Sequence, residues 1–331
     1  MSKLSQVVKK MTPAERNDLF MELANYADDI AQDQAAKLQL VKASKYKVQI
    51  KEELENWGKH RGHHFYIDSI DDMTLGITDG EVLLLSGDSH SGKSQLAFNL
   101  AYQQAKQGNI VFFITLEMTK PQAGSRIAKI ALQDGLSWDE TIEVLDRVVF
   151  QKVTKLDYKM IYPITLKAKE EGAAMVFLDH VHYFPRSGEA TKTAEVAAIS
   201  LEIKRAALEC KIPIIALCQC RKLDDGRGKR RKPTPLDLKD ASELYQDCDI
   251  CIMVWRDNDG LTADDTQVEV RIWKNRLRGM RQADKLKYFK SHDGAKLEPD
   301  DIPTFEEVQE KAKPEDKPRA VPFWADMGKK S

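Results

Sequence analysis

The sequence is short of several things, and each shortage excludes something. No stretch approaches the roughly 20 consecutive apolar residues that a membrane span requires. Five cysteines are an odd number without a dense framework, which argues against a disulfide scaffold and for reduced thiols in a cytosol. The N-terminal segment MSKLSQVVKKMTPAERNDLF has neither the apolar core nor the small-residue cleavage site of a secretory signal, so a cytoplasmic location is expected. An internal repeat is lacking. So is an excess of charge: 51 Lys and Arg against 52 Asp and Glu leave −1 over 331 residues. That excludes a uniformly basic nucleic-acid coat and a polyacidic protein. It does not exclude local basic patches, because a sum conceals segregation.

What is present is patterned. Thr12-Pro13-Ala14-Glu15 reads as a capping box, and Leu19, Phe20, Leu23, Ala27 and Ile30 follow at helical spacing. A second helical stretch, about 35–57, carries a thin apolar stripe that needs another surface to lean on. Residues 1–60 are therefore expected to form a helical extension or linker. From about residue 65 the texture changes to short apolar runs: EVLLLSG (81–87), NIVFFITLE (109–117), AAMVFLD (173–179), IPIIALCQ (212–219) and DICIMVW (249–255). Continuous runs rich in Val, Ile and Phe suit parallel strands buried on both faces. Helical segments 93–107, 120–133 and 192–210 separate several of them. The expectation is an α/β domain over 61–291, a mostly parallel twisted sheet flanked by helices, with VEVRIWKNR (268–276) as a further strand. Residues 292–331, acidic and Pro-rich, read as a flexible tail whose Phe323-Trp324 suits either a docking motif or a plain end.

The strongest motif is Gly87-Asp88-Ser89-His90-Ser91-Gly92-Lys93-Ser94. It fits the phosphate-loop pattern and sits between a strand and a helix, the context that loop requires. Glycines let backbone N–H groups wrap phosphates at a helix N-terminus. Lys93 would reach the β- and γ-phosphates of ATP, and Ser94 would hold Mg²⁺. Asp179 ends a buried strand and is the leading second Mg²⁺-linked carboxylate, although such an Asp also caps helices. Glu117 ends the strand after the loop and can serve as a general base or as a first-turn charge for the next helix. Gln219 ends another strand and can sense a γ-phosphate or simply close the strand.

The order of these features resembles the DnaB family of hexameric replicative DNA helicases, a branch of the RecA-like ATPases. The resemblance runs from about Phe65 to Phe289. It rests on the phosphate loop, ITLEM (114–118), the helix-strand-Gln block at 195–222, PLDLKDASELYQDCDICIMVWRD (235–257) and Lys274-Asn275-Arg276. It implies a RecA-like core and an ATP hydrolase that unwinds DNA, 5′ to 3′, as a ring, expected to be a hexamer. It assigns Glu117 as catalytic base, Asp179 to the metal and Gln219 to γ-phosphate sensing. Arg276, with Lys274, would act in trans in the neighbouring subunit's ATP site, with Arg256 near the same boundary.

The sequence departs from the family at His180-Val181-His182, where Tyr-Leu-Gln is usual, and at Lys239-Asp240-Ala241-Ser242 in place of Arg-Glu-Ser-Gly. The large N-terminal domain of bacterial relatives is not expected in so compact a form, and a phage or plasmid replicon in a bacterial host suits it.

Single-stranded DNA would be gripped by loops following the Asp179 and Gln219 strands. The first, Pro185–Lys192, offers Arg186. The second, RKLDDGRGKRRK (221–232), has seven basic and two acidic residues: Arg221, Lys222, Arg227, Lys229, Arg230, Arg231 and Lys232 are the cations. Loader, primase or single-strand-binding partners would use the N-terminal helices or the tail. Other readings are a RecA-like recombinase or filament-forming DNA-dependent ATPase, or a nucleotide-gated replication adaptor. The near-zero net charge is thus a balance between basic segments and an acidic remainder. Residues 271–290 alone carry eight basic residues against one acidic.

Overall fold

Strands that are apolar on both faces need cover on both sides, and the chain supplies it. The computed structural model describes residues 41–55, 62–151, 156–184, 192–221, 231–238, 242–256, 267–276, 286–292 and 295–300, with scattered positions between 11 and 22. The chain divides into two units, Met1–Trp57 and Gly58–Ser331.

In the first unit the capping box is formed: the Thr12 N–H donates to Glu15 Oε2 at 2.7 Å and the Glu15 N–H donates to Thr12 Oγ1 at 3.3 Å. Helix α1, Lys47–Glu55, follows a 3₁₀ turn at Ala43–Tyr46. Tyr46, Ile50 and Leu54 recur every four residues and are exposed.

The second unit is built on a nine-stranded sheet ordered β3-β2-β4-β5-β1-β6-β7-β8-β9. Its central strands are β1 (Val82–Gly87), β2 (Ile110–Thr115), β4 (Ala173–Asp179), β5 (Ile214–Gln219) and β6 (Ile250–Trp255). They are mutually parallel, each within a few residues of its expected position. The short edge strand β3 (Val148–Phe150) pairs parallel with β2. Along β1, Leu83 and Leu85 enter one core cluster and Val82 and Leu84 the other, the period-two alternation of a strand buried on both faces. Helices α2 (Asp68–Thr74), α3 (Lys93–Lys106), α4 (Lys120–Gln133) and α5 (Trp138–Leu145) contribute residues to the first cluster. Helices α6 (Ile161–Glu170), α7 (Lys192–Cys210) and α8 (Ser242–Asp247) contribute to the second. Capping boxes start α4 (Thr119 with Gln122) and α5 (Ser137 with Glu140), satisfying N–H groups a helix start leaves open.

Beyond β6 the sheet turns antiparallel through β7 (Gln267–Asn275), β8 (Leu286–His292) and β9 (Lys296–Asp300). The boundary expected at 291 therefore falls inside the sheet. Charged residues at 296, 298 and 300 give β9 the look of a solvated tail. Ala295 and Leu297, on the alternate positions, are buried. Side chains of the phosphate-loop helix hold this segment: Gln95 and Asn99 donate to the Ala295 carbonyl at 3.0 and 2.9 Å, and Asn99 Oδ1 accepts from the Leu297 N–H at 2.9 Å.

Asp134 fixes the same corner. Lys106, Lys296 and Tyr102 all reach its carboxylate. Burial alone would raise this carboxyl, but hydrogen bonds from Lys106, Lys296 and Tyr102 outweigh it and bring it down to about 2. A folded-state value below the unfolded one means stability present above pH ~4 and lost as pH falls toward ~2. Asp134→Asn should cost about 1 kcal/mol at neutral pH after solvent screening, or about 2–4 °C in Tm. It should also flatten the acid limb between pH 4 and 2. Thermal melts across that range check it; an unchanged acid limb would refute it.

Candidate functional site

Strand register assembles the site before any side chain is considered. On β1, Gly87 pairs with Gln219 of β5 on one side and Val254 of β6 on the other. On β2, Thr115 pairs with Asp179 of β4, and the Leu116 N–H donates to the Asp179 carbonyl at 2.7 Å. The phosphate loop, Glu117, Asp179, Gln219 and Arg256 therefore emerge at the same carboxyl edge of a parallel sheet, where ligands of open α/β sheets bind.

Gly87 cannot be replaced without displacement, since a Cβ there would lie 2.3 Å from the Val254 carbonyl oxygen and 2.5 Å from Ser91 Oγ. Gly92 has φ +101°, outside the range ordinary side chains favour, and opens α3 at Lys93. A cavity of about 810 Å³ lies over this loop, lined among others by Ser89, Lys93, Ser94, Glu117, Gln219 and Arg256. The buried Lys93 ammonium donates to the Asp88 carbonyl at 2.6 Å, and burial lowers its pKa. Gln219 Nε2 donates to Ser89 Oγ, tying the candidate sensor to the loop.

Asp179 is wholly buried, and neither carboxylate oxygen has a hydrogen-bond partner of normal geometry. Burial, then the charge of Glu117, pushes it up to about 6, against the pull of the Ser94 hydroxyl, Lys93 and Arg126. An unpartnered buried carboxylate facing a helix-opening Ser and Lys can hold a cation.

Arg126 on α4, and His180 and Tyr183 after β4, also wall the cavity, although the motif pattern does not single them out for this role. The Nδ1 of His180 accepts from the His182 N–H at 3.3 Å, and its ring lies 4.3 Å from that of Tyr183. Burial, then His182 and Lys93, pushes the His180 imidazole down to about 4, so it is neutral at pH 7. The departure from Tyr-Leu-Gln is the signal for His180. Arg126 has none beyond helical spacing from Gln122.

Arg256 lies in the chain's own phosphate-loop cavity, its guanidinium donating to Gln95 Oε1 at 3.0 Å. That is the opposite end of the sheet from Arg276, because β7 runs antiparallel to β6 and Asn275 pairs with Ile250. Lys274 Nζ donates to the carbonyls of Tyr245 and Gln246 at 2.6 and 2.8 Å, at the C-terminus of α8. Arg276 donates to the Gln246 carbonyl at 2.8 Å. From Val82 to Gly87 the sheet spans about 16 Å, so neither residue meets its own phosphate loop.

Of the basic loop, Lys222, Arg227, Lys229 and Arg230 lie outside the described residues, as does Arg186. Arg221 is exposed, and its N–H donates to the Asp237 carbonyl at 2.8 Å. Two cations are already engaged within the chain: Arg231 forks onto buried Asp237, and Lys232 pairs with buried Glu269 over the Trp255 ring. A count of charges cannot see such pairs. All five cysteines are buried free thiols, Cys218 and Cys220 flanking Gln219. Among the described residues no helix is long and apolar enough to cross a membrane.

Residues 62–293 match the family model described as the DnaB-like helicase C terminal domain. The replicative DNA helicase DnaB of Haemophilus influenzae (strain Rd) is 25% identical over 257 residues, 70% of this chain and 54% of that protein. That of Helicobacter pylori (strain J99) is 26% identical over 207 residues, 56% of this chain and 42% of that protein. A probable plasmid replicative DNA helicase of Chlamydia trachomatis is 27% identical over 228 residues, covering 62% and 49%. The chain thus spans about half the length of the curated relatives it matches. Among solved structures, an isolated ATPase domain superposes with a TM-score of 0.66 at 21% identity, over 78% of this chain and 99% of that one. A DnaB-like replicative helicase, solved with its interactions with primase, gives 0.63 at 22% identity, over 83% and 71%. At those identities the likeness is one of fold.

Proposed function

The chain belongs to the DnaB-like helicase C-terminal domain family, and from that premise we propose that it is an ATP-dependent replicative DNA helicase. It works as a homo-oligomeric ring, a hexamer, that encircles single-stranded DNA and unwinds duplex 5′ to 3′. The observation that carries this reading is the shared edge: strand register brings the phosphate loop, Glu117, Asp179 and Gln219 to it, and all but the buried Asp179 line one cavity.

Within that cavity the loop's backbone N–H groups and Lys93 take the β- and γ-phosphates of ATP. Ser94 and Asp179 suit the accompanying Mg²⁺, since the Asp179 carboxylate is buried and unpartnered. When bound, Mg²⁺ neutralises phosphate charge. Glu117, exposed to the cavity, orients and deprotonates the attacking water. Gln219 bridges Ser89 of the loop to the segment that begins at Arg221, so loss of the γ-phosphate alters a contact two residues from the DNA loop. Arg221, Lys222, Arg227, Lys229 and Arg230, with Arg186, supply phosphate contacts of little base preference. Arg231 and Lys232 act instead as anchors of the loop's far end. Exposed Tyr46, Ile50 and Leu54 offer a helix face to a neighbouring subunit. Loader, primase or single-strand-binding partners complete the assembly.

Forks carrying one single-stranded tail test this reading. A 5′ tail on the encircled strand should support unwinding at least about tenfold faster than a 3′ tail. Equal rates, or none on either fork with ATP and Mg²⁺ present, would defeat it.

A further inference from the structure

The amino edge of the sheet, remote from the ATP cavity, carries a second organised cluster. At its centre is Asp249, the residue just before β6, whose side chain is only 9% exposed. Its Oδ2 accepts from the Val82 N–H at 2.8 Å and pairs with Lys204 Nζ of α7 at 2.6 Å. Its Oδ1 faces the Arg276 guanidinium at 3.3 Å, and its carbonyl accepts from the Arg276 N–H at 2.9 Å. Asp249 is thereby tied to the start of β1, to α7 and, twice, to the end of β7. The Arg276 side chain stays 51% exposed while its guanidinium is held by Asp249 through Nη1 and by the Gln246 carbonyl through Nη2.

A buried carboxylate is costly to ionise unless partners satisfy it. Here Val82 and Lys204 already satisfy one oxygen, which leaves the other aimed at Arg276. We infer that Asp249 is a positioning residue that presents Arg276 to the ATP site of a neighbouring subunit. This rests on the role in trans that the family resemblance implies for Arg276. An arginine side chain has many rotamers, and ordering it before assembly removes that cost from the catalytic step. Asp249 itself touches neither nucleotide nor DNA. Because β1 runs from Val82 to Gly87, one strand joins the presented arginine to its own phosphate loop at the far end.

The test uses the full chain and DNA-stimulated ATP hydrolysis. Asp249→Asn keeps an acceptor for Val82 but removes the charge. It should lower kcat about tenfold or more while the KM for ATP stays within about twofold, since the nucleotide site lies at the other edge. Lys204→Met strips the same carboxylate of its α7 partner but leaves Arg276 paired, and should keep kcat within about twofold. Mixing Asp249→Asn chains with Lys93→Ala chains should give more hydrolysis than the two separately. The second chain lends an intact Asp249–Arg276 pair to the first chain's intact phosphate loop. Equal losses in Asp249→Asn and Lys204→Met, a rise in KM without a fall in kcat, or faster hydrolysis would overturn the inference. So would absent recovery where a wild-type and Lys93→Ala mixture remains active. If Asp249→Asn melts below the assay temperature, Asp249→Ser, which also lacks the charge and keeps a hydrogen-bond acceptor, carries the same expectations. Arg276→Ala run alongside separates the failures. If it is fully active, the role of Arg276 falls. If it is slow while Asp249→Asn is normal, only the inference about Asp249 falls.

Discussion

Lys93→Ala should abolish both DNA-stimulated ATP hydrolysis and unwinding, lowering each at least a hundredfold to a thousandfold, about the cost of removing one pre-organised electrostatic contact. The expectation comes from where the ammonium sits. It is buried at the first turn of α3, and it donates to a carbonyl of the loop it belongs to. Burial disfavours its charge, while Asp179 and Glu117 favour it. An arriving triphosphate exchanges a carbonyl dipole for full negative charge, which is the stronger partner. Removing the ammonium leaves Asp179 and Glu117 facing incoming phosphates without it, and nucleotide affinity should fall together with turnover. Hydrolysis assays, fork unwinding and nucleotide titration on a variant with unchanged circular dichroism would check this. Full retention of hydrolysis would remove the phosphate loop from the mechanism.

Much of this site is legible in the sequence because its parts sit at strand ends. Runs such as EVLLLSG and AAMVFLD declare both the strand and the residue that leaves it, and a parallel sheet puts all such ends on one edge. Gly87, Glu117, Asp179 and Gln219 can thus be read from the chain alone. Residues that reach the cavity from helix faces or short turns are not legible in this way. Arg126 arrives from the middle of α4, where nothing local distinguishes a cavity-facing arginine from a solvated one. Tyr183 ends a one-turn helix. Resemblance groups Arg256 with Arg276, yet strand register puts the two at opposite ends of β6 and β7. Strand β9 escapes a reading by pattern because its charged positions mask the buried Ala295 and Leu297. Arg231 and Lys232 count as free cations in the sequence because their partners, Asp237 and Glu269, are fixed by tertiary structure alone.

Arg276→Ala should lower kcat for DNA-stimulated hydrolysis about a thousandfold or more, the scale of an arginine that stabilises phosphoryl charge in trans. Affinity of the isolated subunit for nucleotide should be nearly unchanged. Both halves follow from the sheet. Arg276 continues the end of β7, and its main-chain N–H bonds to Asp249 at the start of β6. The phosphate loop begins at the other end of β1, about 16 Å away along the strand direction. An arginine so placed cannot serve its own nucleotide, yet its side chain is half-exposed at the sheet's amino edge. The competing role is structural. Arg276 and Lys274 both donate to carbonyls at the end of α8, where cations offset the helix dipole. The two roles separate by measurement. A cap alone would leave kcat intact and lower Tm by a few degrees, whereas a residue that also acts in trans would lose turnover far beyond what the fall in Tm from its lost bonds to Asp249 and Gln246 explains. Mixing Arg276→Ala with Lys93→Ala chains adds a second criterion. Each chain holds the half that the other lacks, so assemblies containing both should hydrolyse ATP although neither does so alone. If neither mixing nor assembly restores hydrolysis and Tm has fallen, Arg276 belongs to the fold and not to the neighbour's ATP site.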